Sequence, residues 1–219
     1  MPDLKPMPLF PLQIVLFPGM TLPLNIFERR YKIMIKECLE TNTPFGVVCI
    51  RSGSEVGGGA VPFSVGTSAY ITQVQNQADG RILIQTVGYQ RFRIHELRHD
   101  RPYLVGLVEE FPVEDENTPQ VQELAEILRS QAEAYLVSLQ EATDTQFTLE
   151  DLPHEALNLC YFTAITLPVP MEDKQKLLES ADLRSMLREG IILLRREAHL
   201  LRYMLKEHRR TRDLIFSNN

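Results

Sequence analysis

The chain has 219 residues, 44% of them apolar and 24% charged, the composition of a soluble globular protein long enough to bury a sizeable core. Its formal charge of −6, from 23 basic and 29 acidic groups, argues against a general nucleic-acid binder, because neutralising phosphates needs a cationic footprint. Three scattered cysteines, Cys38, Cys49 and Cys160, exclude a disulfide framework or a four-cysteine zinc site and read as reduced core residues of a cytoplasmic protein.

Residues Pro6 to Phe27 run for 22 positions without a charge, long enough for a membrane span. Pro6, Pro8, Pro11, Pro18 and Pro23 interrupt the run, and each removes a backbone donor that a lipid-exposed helix must satisfy. No basic start precedes it, so it does not read as a signal peptide. We expect an extended, buried lead into a soluble fold. Asn25 and Glu28 then carry N-cap and N3 chemistry for a helix. Phe27, Tyr31, Met34, Ile35, Cys38 and Leu39 form its single apolar stripe. Phe45 to Ile50 reads as a short buried strand. Asp79-Gly80 between Thr67–Gln75 and Arg81–Val87 signals a hairpin whose two turn residues both take positive φ. Arg91–Ile94 and Tyr103–Phe111 bring the count to roughly six strands and one helix, a small barrel-like sheet, since helices and strands do not alternate.

The chain changes character near residue 113. Ten of the eleven glycines and ten of the fourteen prolines precede it. Net charge is +1 over residues 1–113, −12 over 114–182 and +5 over 183–219. The acidic stretch Glu114-Asp115-Glu116-Asn117 is the expected boundary between a β-rich part, 1–113, and a helical part, 118–219. Thr118-Pro119 opens a helix with proline at its first position, and Val121, Leu124, Leu128, Ala132, Tyr135, Leu136 and Leu139 are its buried stripe. Thr148 and Asp151 are expected to cap a second helix running to about Thr166, which Pro168 and Pro170 end. A short helix follows over Met171–Ser180. Asp182 precedes about 30 proline-free residues that form a long last helix ending near Ile215. Its Leu187, Leu194 and Leu201 repeat every seven residues beside a basic stripe, Arg188, Arg195, Arg202 and Arg209. The fold class is α+β: a β-rich pseudo-barrel with one helix, then an α-helical bundle.

Chemistry-bearing motifs are absent. No lysine follows a glycine, so there is no phosphate-cradling loop. His95 and His99 sit four apart on a strand, where that spacing does not converge on a metal. There is no Gly-x-Ser-x-Gly elbow, and each cysteine lies in an apolar pattern, where a thiol is inert packing. No catalytic residue, metal or other cofactor is therefore expected. The arginine stripe could contact a polyanion; its bland reading is pairing with the acidic segment or a solvated helix face.

The motifs of the first half, taken together, resemble the LON domain, the N-terminal substrate-binding domain of Lon protease. They are Pro8-Leu9-Phe10-Pro11-Leu12, Val15-Leu16-Phe17-Pro18-Gly19, Leu22 to Phe27 with Glu28, Arg30 and Tyr31, Phe45-Gly46-Val47-Val48, Gly66-Thr67, Asp79-Gly80-Arg81, Gly88, Arg91-Phe92-Arg93-Ile94 and Pro102-Tyr103. Leu167-Pro168 and Lys174-Gln175 with Leu177-Leu178-Glu179 fit the helical part of the same module more loosely. The resemblance implies a PUA-like pseudo-barrel followed by a helical bundle. It also implies a standalone, non-enzymatic binder of polypeptides, without the ATPase and Ser-Lys protease domains, serving protein quality control as an adaptor. The implied partners are unfolded or specific client proteins and a protease machine, with no membrane and no nucleic acid. The alternative is an RNA-binding PUA-like module using the basic last helix. For polypeptide contact we single out the turn residues Phe17, Pro18 and Met20, with Tyr103 as a further candidate; the competing reading is that these side chains merely cover the barrel end.

Overall fold

In a computed structural model of the protein, residues 3–55, 57, 59–114, 118–143 and 152–217 are described, with side chains as far as Glu207. The chain divides into two compact units, residues 1–113 with 174–179, and residues 114–173 with 180–219.

The first unit holds seven strands and one complete helix: β1 (Lys5–Leu12), β2 (Thr21–Ile26), α1 (Arg29–Thr41), β3 (Phe45–Ser52), β4 (Val61–Pro62), β5 (Val65–Asn76), β6 (Ile82–Arg98) and β7 (Leu104–Glu110). β1 pairs antiparallel with β7 and parallel with β3, and the antiparallel pairs β3–β5, β5–β6 and β6–β7 close a ring of five strands. The ring encloses a core. Phe10, Leu16, Leu22, Ile26, Phe45 and Ile84 fill it against one face of α1, with Phe10 stacked on Tyr31 at 4.0 Å.

Three local expectations are corrected here. Arg81–Val87 and Arg91–Ile94 are not separate strands but parts of the 17-residue β6. Gly88, between them, marks a close approach rather than a strand end: a Cβ there would sit against the Phe17 carbonyl. At the hairpin only Gly80 takes positive φ (+80°). The turn spans Gln77 to Arg81, closed by a 2.8 Å bond from Gln77 N–H to the Arg81 carbonyl, and Asp79 holds Arg81 through its carboxylate. The first helix begins at Arg29, because Asn25 and Ile26 are taken by pairing with Leu83 and Ile82. Glu28 stands at its cap without a side-chain cap bond and pairs instead with Arg30 at 3.0 Å. Its buried stripe narrows to Tyr31, Met34, Ile35 and Cys38. Phe27, before the helix, is 53% exposed, and Leu39, about 100° around the axis from Cys38, is 45% exposed.

The second unit contains α2 (Pro119–Thr143), α3 (Ala156–Thr166) and α5 (Leu183–Ser217), while α4 (Met171–Leu178) is shared between the units. Thr118 Oγ1 accepts the Val121 N–H at 3.3 Å, so the proline-led start of α2 is as expected. Val121, Leu128, Ala132, Tyr135 and Leu136 are buried, whereas Leu124 and Leu139 are half-buried. α3 starts at Ala156, later than expected, with Glu155 before it still in extended conformation. Thr148 and Asp151 lie outside the described residues, as do Asp115, Glu116 and Asn117 of the acidic stretch. Asp182 Oδ1 accepts the Ser185 N–H at 2.8 Å and opens α5, whose 35 residues span about 52 Å. Among its described residues Leu183, Met186, Leu187, Ile191, Leu193 and Leu194 are the buried apolar side chains.

All three cysteines are buried and none forms a disulfide; burial pushes the Cys38 thiol up to about 11 and the Cys160 thiol up to about 12. Among the described residues no helix is long and apolar enough to cross a membrane.

Candidate functional site

The first half of β6 lies between β2 and the end of β5. The registers place Pro23, Gln85 and Gln73 in one row across the three strands, and Asn25, Leu83 and Gln75 in another. Leu24, Ile84 and Val74 form the row between them. Because successive side chains alternate across a sheet, the first two rows share the outer face and Ile84 turns into the core. The nine residues line a groove of about 490 Å³ that crosses the strands. No charged residue lines it. Four amides, Asn25, Gln73, Gln75 and Gln85, alternate there with the apolar Pro23 and Leu83, while Val74 lines the groove from the row between them. Tyr70 and Tyr89 continue the face as an exposed edge-to-face pair with ring centroids 5.4 Å apart. Nearby charges pair with each other: Asp79 and Arg81 at the hairpin tip are 2.7 Å apart, and those hydrogen bonds hold the Asp79 carboxyl below the usual range.

The residues singled out from the sequence sit elsewhere. Phe17 has no exposed surface, and Tyr103 is 3% exposed, so the expectation that they offer contact area is corrected. The turn is tied to β6 by Gly19 N–H to the Gly88 carbonyl (2.8 Å) and Gly88 N–H to the Met20 carbonyl (2.9 Å), which turns Phe17 inward. Pro18 and Met20 are half-buried, and Met20 packs on the core. Tyr103 donates its hydroxyl to the Glu37 carboxylate, which also takes Arg101 at 2.9 Å; burial and then Glu37 raise the phenol above its usual range.

Arg188, Arg195 and Arg202 are exposed and spread along α5 at two-turn intervals rather than converging. With the Gln131 amide oriented oxygen-first, that oxygen accepts Nε and Nη2 of Arg195 at 3.0 Å. Arg202 Nε returns to the Ala198 carbonyl at 3.0 Å. The Arg209 side chain lies outside the described residues. His95 pairs with Glu109 at 2.8 Å, and among the described residues no group of three His, Cys, Asp or Glu could hold a metal ion.

Residues 6–196 match the family model of the ATP-dependent protease La (LON) substrate-binding domain. The chain belongs to this family. It is 30% identical over 203 residues to Lon protease 2 of Myxococcus xanthus, covering 90% of this chain and 24% of that protein. It is 29% identical over 203 residues to Lon protease of Anaeromyxobacter dehalogenans, with the same coverages, so it spans about a quarter of the length of these relatives. Among solved structures it is similar to a Lon N-terminal domain protein from Xanthomonas campestris, with a TM-score of 0.62 at 29% identity, covering 84% of this chain and 96% of that one. The N-terminal domain of Mycobacterium avium complex Lon protease shares the fold, with a TM-score of 0.68 at 21% identity, covering 87% of this chain and 98% of that one. The β-rich part followed by helices ending in a long helix is thus the fold of a Lon N-terminal domain.

The LON-domain groove left a trace in the sequence: no charged residue occurs from position 56 to 78, nor from 82 to 90. In strands that are otherwise exposed, that gap is the signal that could have located the face.

Proposed function

We propose that this LON-domain chain binds extended polypeptide segments on the uncharged β2–β6–β5 face and presents them for proteolysis without itself catalysing a reaction. The observation that carries this reading is the groove: apolar side chains and amides without a charge, in a member of a substrate-binding family. Amides can donate to and accept from any peptide backbone, and Leu83, Pro23 and the tyrosine pair offer apolar contact to side chains. The reducing cytoplasm, where cysteines persist as thiols, is the proposed compartment. Client proteins and a protease machine remain the proposed partners.

The test is binding of carboxamidomethylated α-lactalbumin, a permanently unfolded probe, followed by fluorescence anisotropy. Wild type binds it with little dependence on salt, because no phosphate-like counterion release is involved. Leu83→Asp places a charge on an exposed position (39% accessible) and lowers affinity at least tenfold while the melting temperature stays within a few degrees. Equal affinity of a folded Leu83→Asp variant removes the face from consideration. Release of peptide fragments by the purified chain would overturn the non-catalytic part.

A further inference from the structure

Exposed sheet edges are normally blunted by proline, charge or burial, because their unpaired N–H and C=O groups template another strand. The two outer edges of the β2–β6–β5 sheet differ in this respect. β2 carries Pro23, which lacks a donor. β5 from Tyr70 to Asn76 reads Tyr-Ile-Thr-Gln-Val-Gln-Asn, without proline, glycine or charge, and with strong strand formers. In this stretch β6 is its only pairing partner among the described residues, since contact with β3 ends at Ala69. Thr72, Gln73, Val74, Gln75 and Asn76 are all exposed, so neither face of this strand is covered.

The direction of the free groups follows from one bond. The Gln85 carbonyl accepts the Thr72 hydroxyl at 3.1 Å, so Gln85 turns its backbone groups toward β5, and its partner Gln73 faces back. Alternation along an antiparallel strand then aims the N–H and C=O of Val74 and Asn76 away from β6. By the same alternation Pro23, opposite Gln85, has its donor-less nitrogen on the outer side of β2.

We infer that the client polypeptide adds to β5 as a further strand, its backbone bonded to Val74 and Asn76; this rests on the polypeptide-binding reading above. The occupant is an extended, uncharged, β-prone segment. An added strand matches a row of outward N–H and C=O groups along its whole length, and the uncharged surroundings offer no partner for ionic side chains. Recognition through the main chain also tolerates many client sequences.

Two measurements test it with the same unfolded α-lactalbumin probe. Hydrogen exchange of the Val74 and Asn76 amides slows on client binding. Val74→Pro removes the outward donor at a position where an edge tolerates proline, and weakens binding at least tenfold; Val74→Ala, which keeps the donor, stays within threefold of wild type. If Val74→Pro fails to fold, protection of the two amides in wild type decides. Unchanged exchange, or full binding by folded Val74→Pro, overturns strand addition and leaves the polypeptide-binding reading standing. No capture by wild type overturns both. A client-free dimer that protects the same amides shows that a second copy occupies the edge, and also overturns it.

Discussion

Phe17 and Gly88 hold one another in place: the ring is fully buried, and the glycine leaves room for the carbonyl of the same phenylalanine. Phe17→Ala is therefore expected to cost about 3–5 kcal/mol, the range for emptying a buried aromatic site, measured by chemical denaturation. Gly88→Ala is expected to destabilise as well, because its Cβ meets backbone, which cannot rotate away. A stable Phe17→Ala variant would show that the ring is not part of the core. Locally, an apolar residue before Pro-Gly reads as either a surface turn or a buried anchor. The choice is made by β6, far along the chain, through the backbone bonds at Gly88. That is why the sequence marked this turn but not its inward orientation. The outer-face amides were hidden differently: glutamines on a strand carry no motif, and only their shared register makes a groove.

At the scale of elements, local signals succeeded where nothing distant competed. Thr118-Pro119 and Asp182 open α2 and α5 as their chemistry requires. Asn25 and Glu28 satisfied the same grammar, yet β2 pairing with β6 absorbed Asn25, so sheet register overrode a plausible cap. The Asp182 cap makes a pH prediction. Hydrogen bonds from Ser185 hold its carboxyl below the ordinary value of 3.8. A depressed carboxylate stabilises the fold fully above its unfolded-state value and loses that contribution as pH falls through the lower folded value. Asp182→Ala is expected to cost about 1 kcal/mol at neutral pH. Asp182→Asn, which keeps an accepting oxygen but no charge, should cost less, and its deficit relative to wild type should vanish as pH drops below the normal carboxylate range. Denaturant midpoints of the three proteins at neutral and acid pH measure this; a deficit that grows on acidification has the wrong sign.

At the scale of the whole molecule, residues 174–179 belong by contact to the first unit although 60 residues of the second, 114–173, precede them. Two buried polar side chains of the first unit bond across to or from this segment. Arg91 donates through Nη1 to the Leu178 carbonyl at 2.6 Å while its guanidinium lies over the Phe111 ring at 4.6 Å. Gln175 donates to the Val65 carbonyl at 3.0 Å. A fragment ending at Val113 keeps every strand but loses both bonds and the segment that packs beside Arg91. Fragment 1–113 is thus expected to unfold at a lower denaturant concentration than the same residues in the full chain. Arg91→Met separates the causes, since methionine keeps the apolar stem and needs no acceptor. In the full chain it should be destabilising, whereas in the fragment it should recover part of the loss, so the effect of one substitution reverses sign between the two backgrounds. If Arg91→Met shifts both proteins equally, the Leu178 contact does not couple α4 to the strands, and the shared helix is held by Leu177 and Leu178 packing alone.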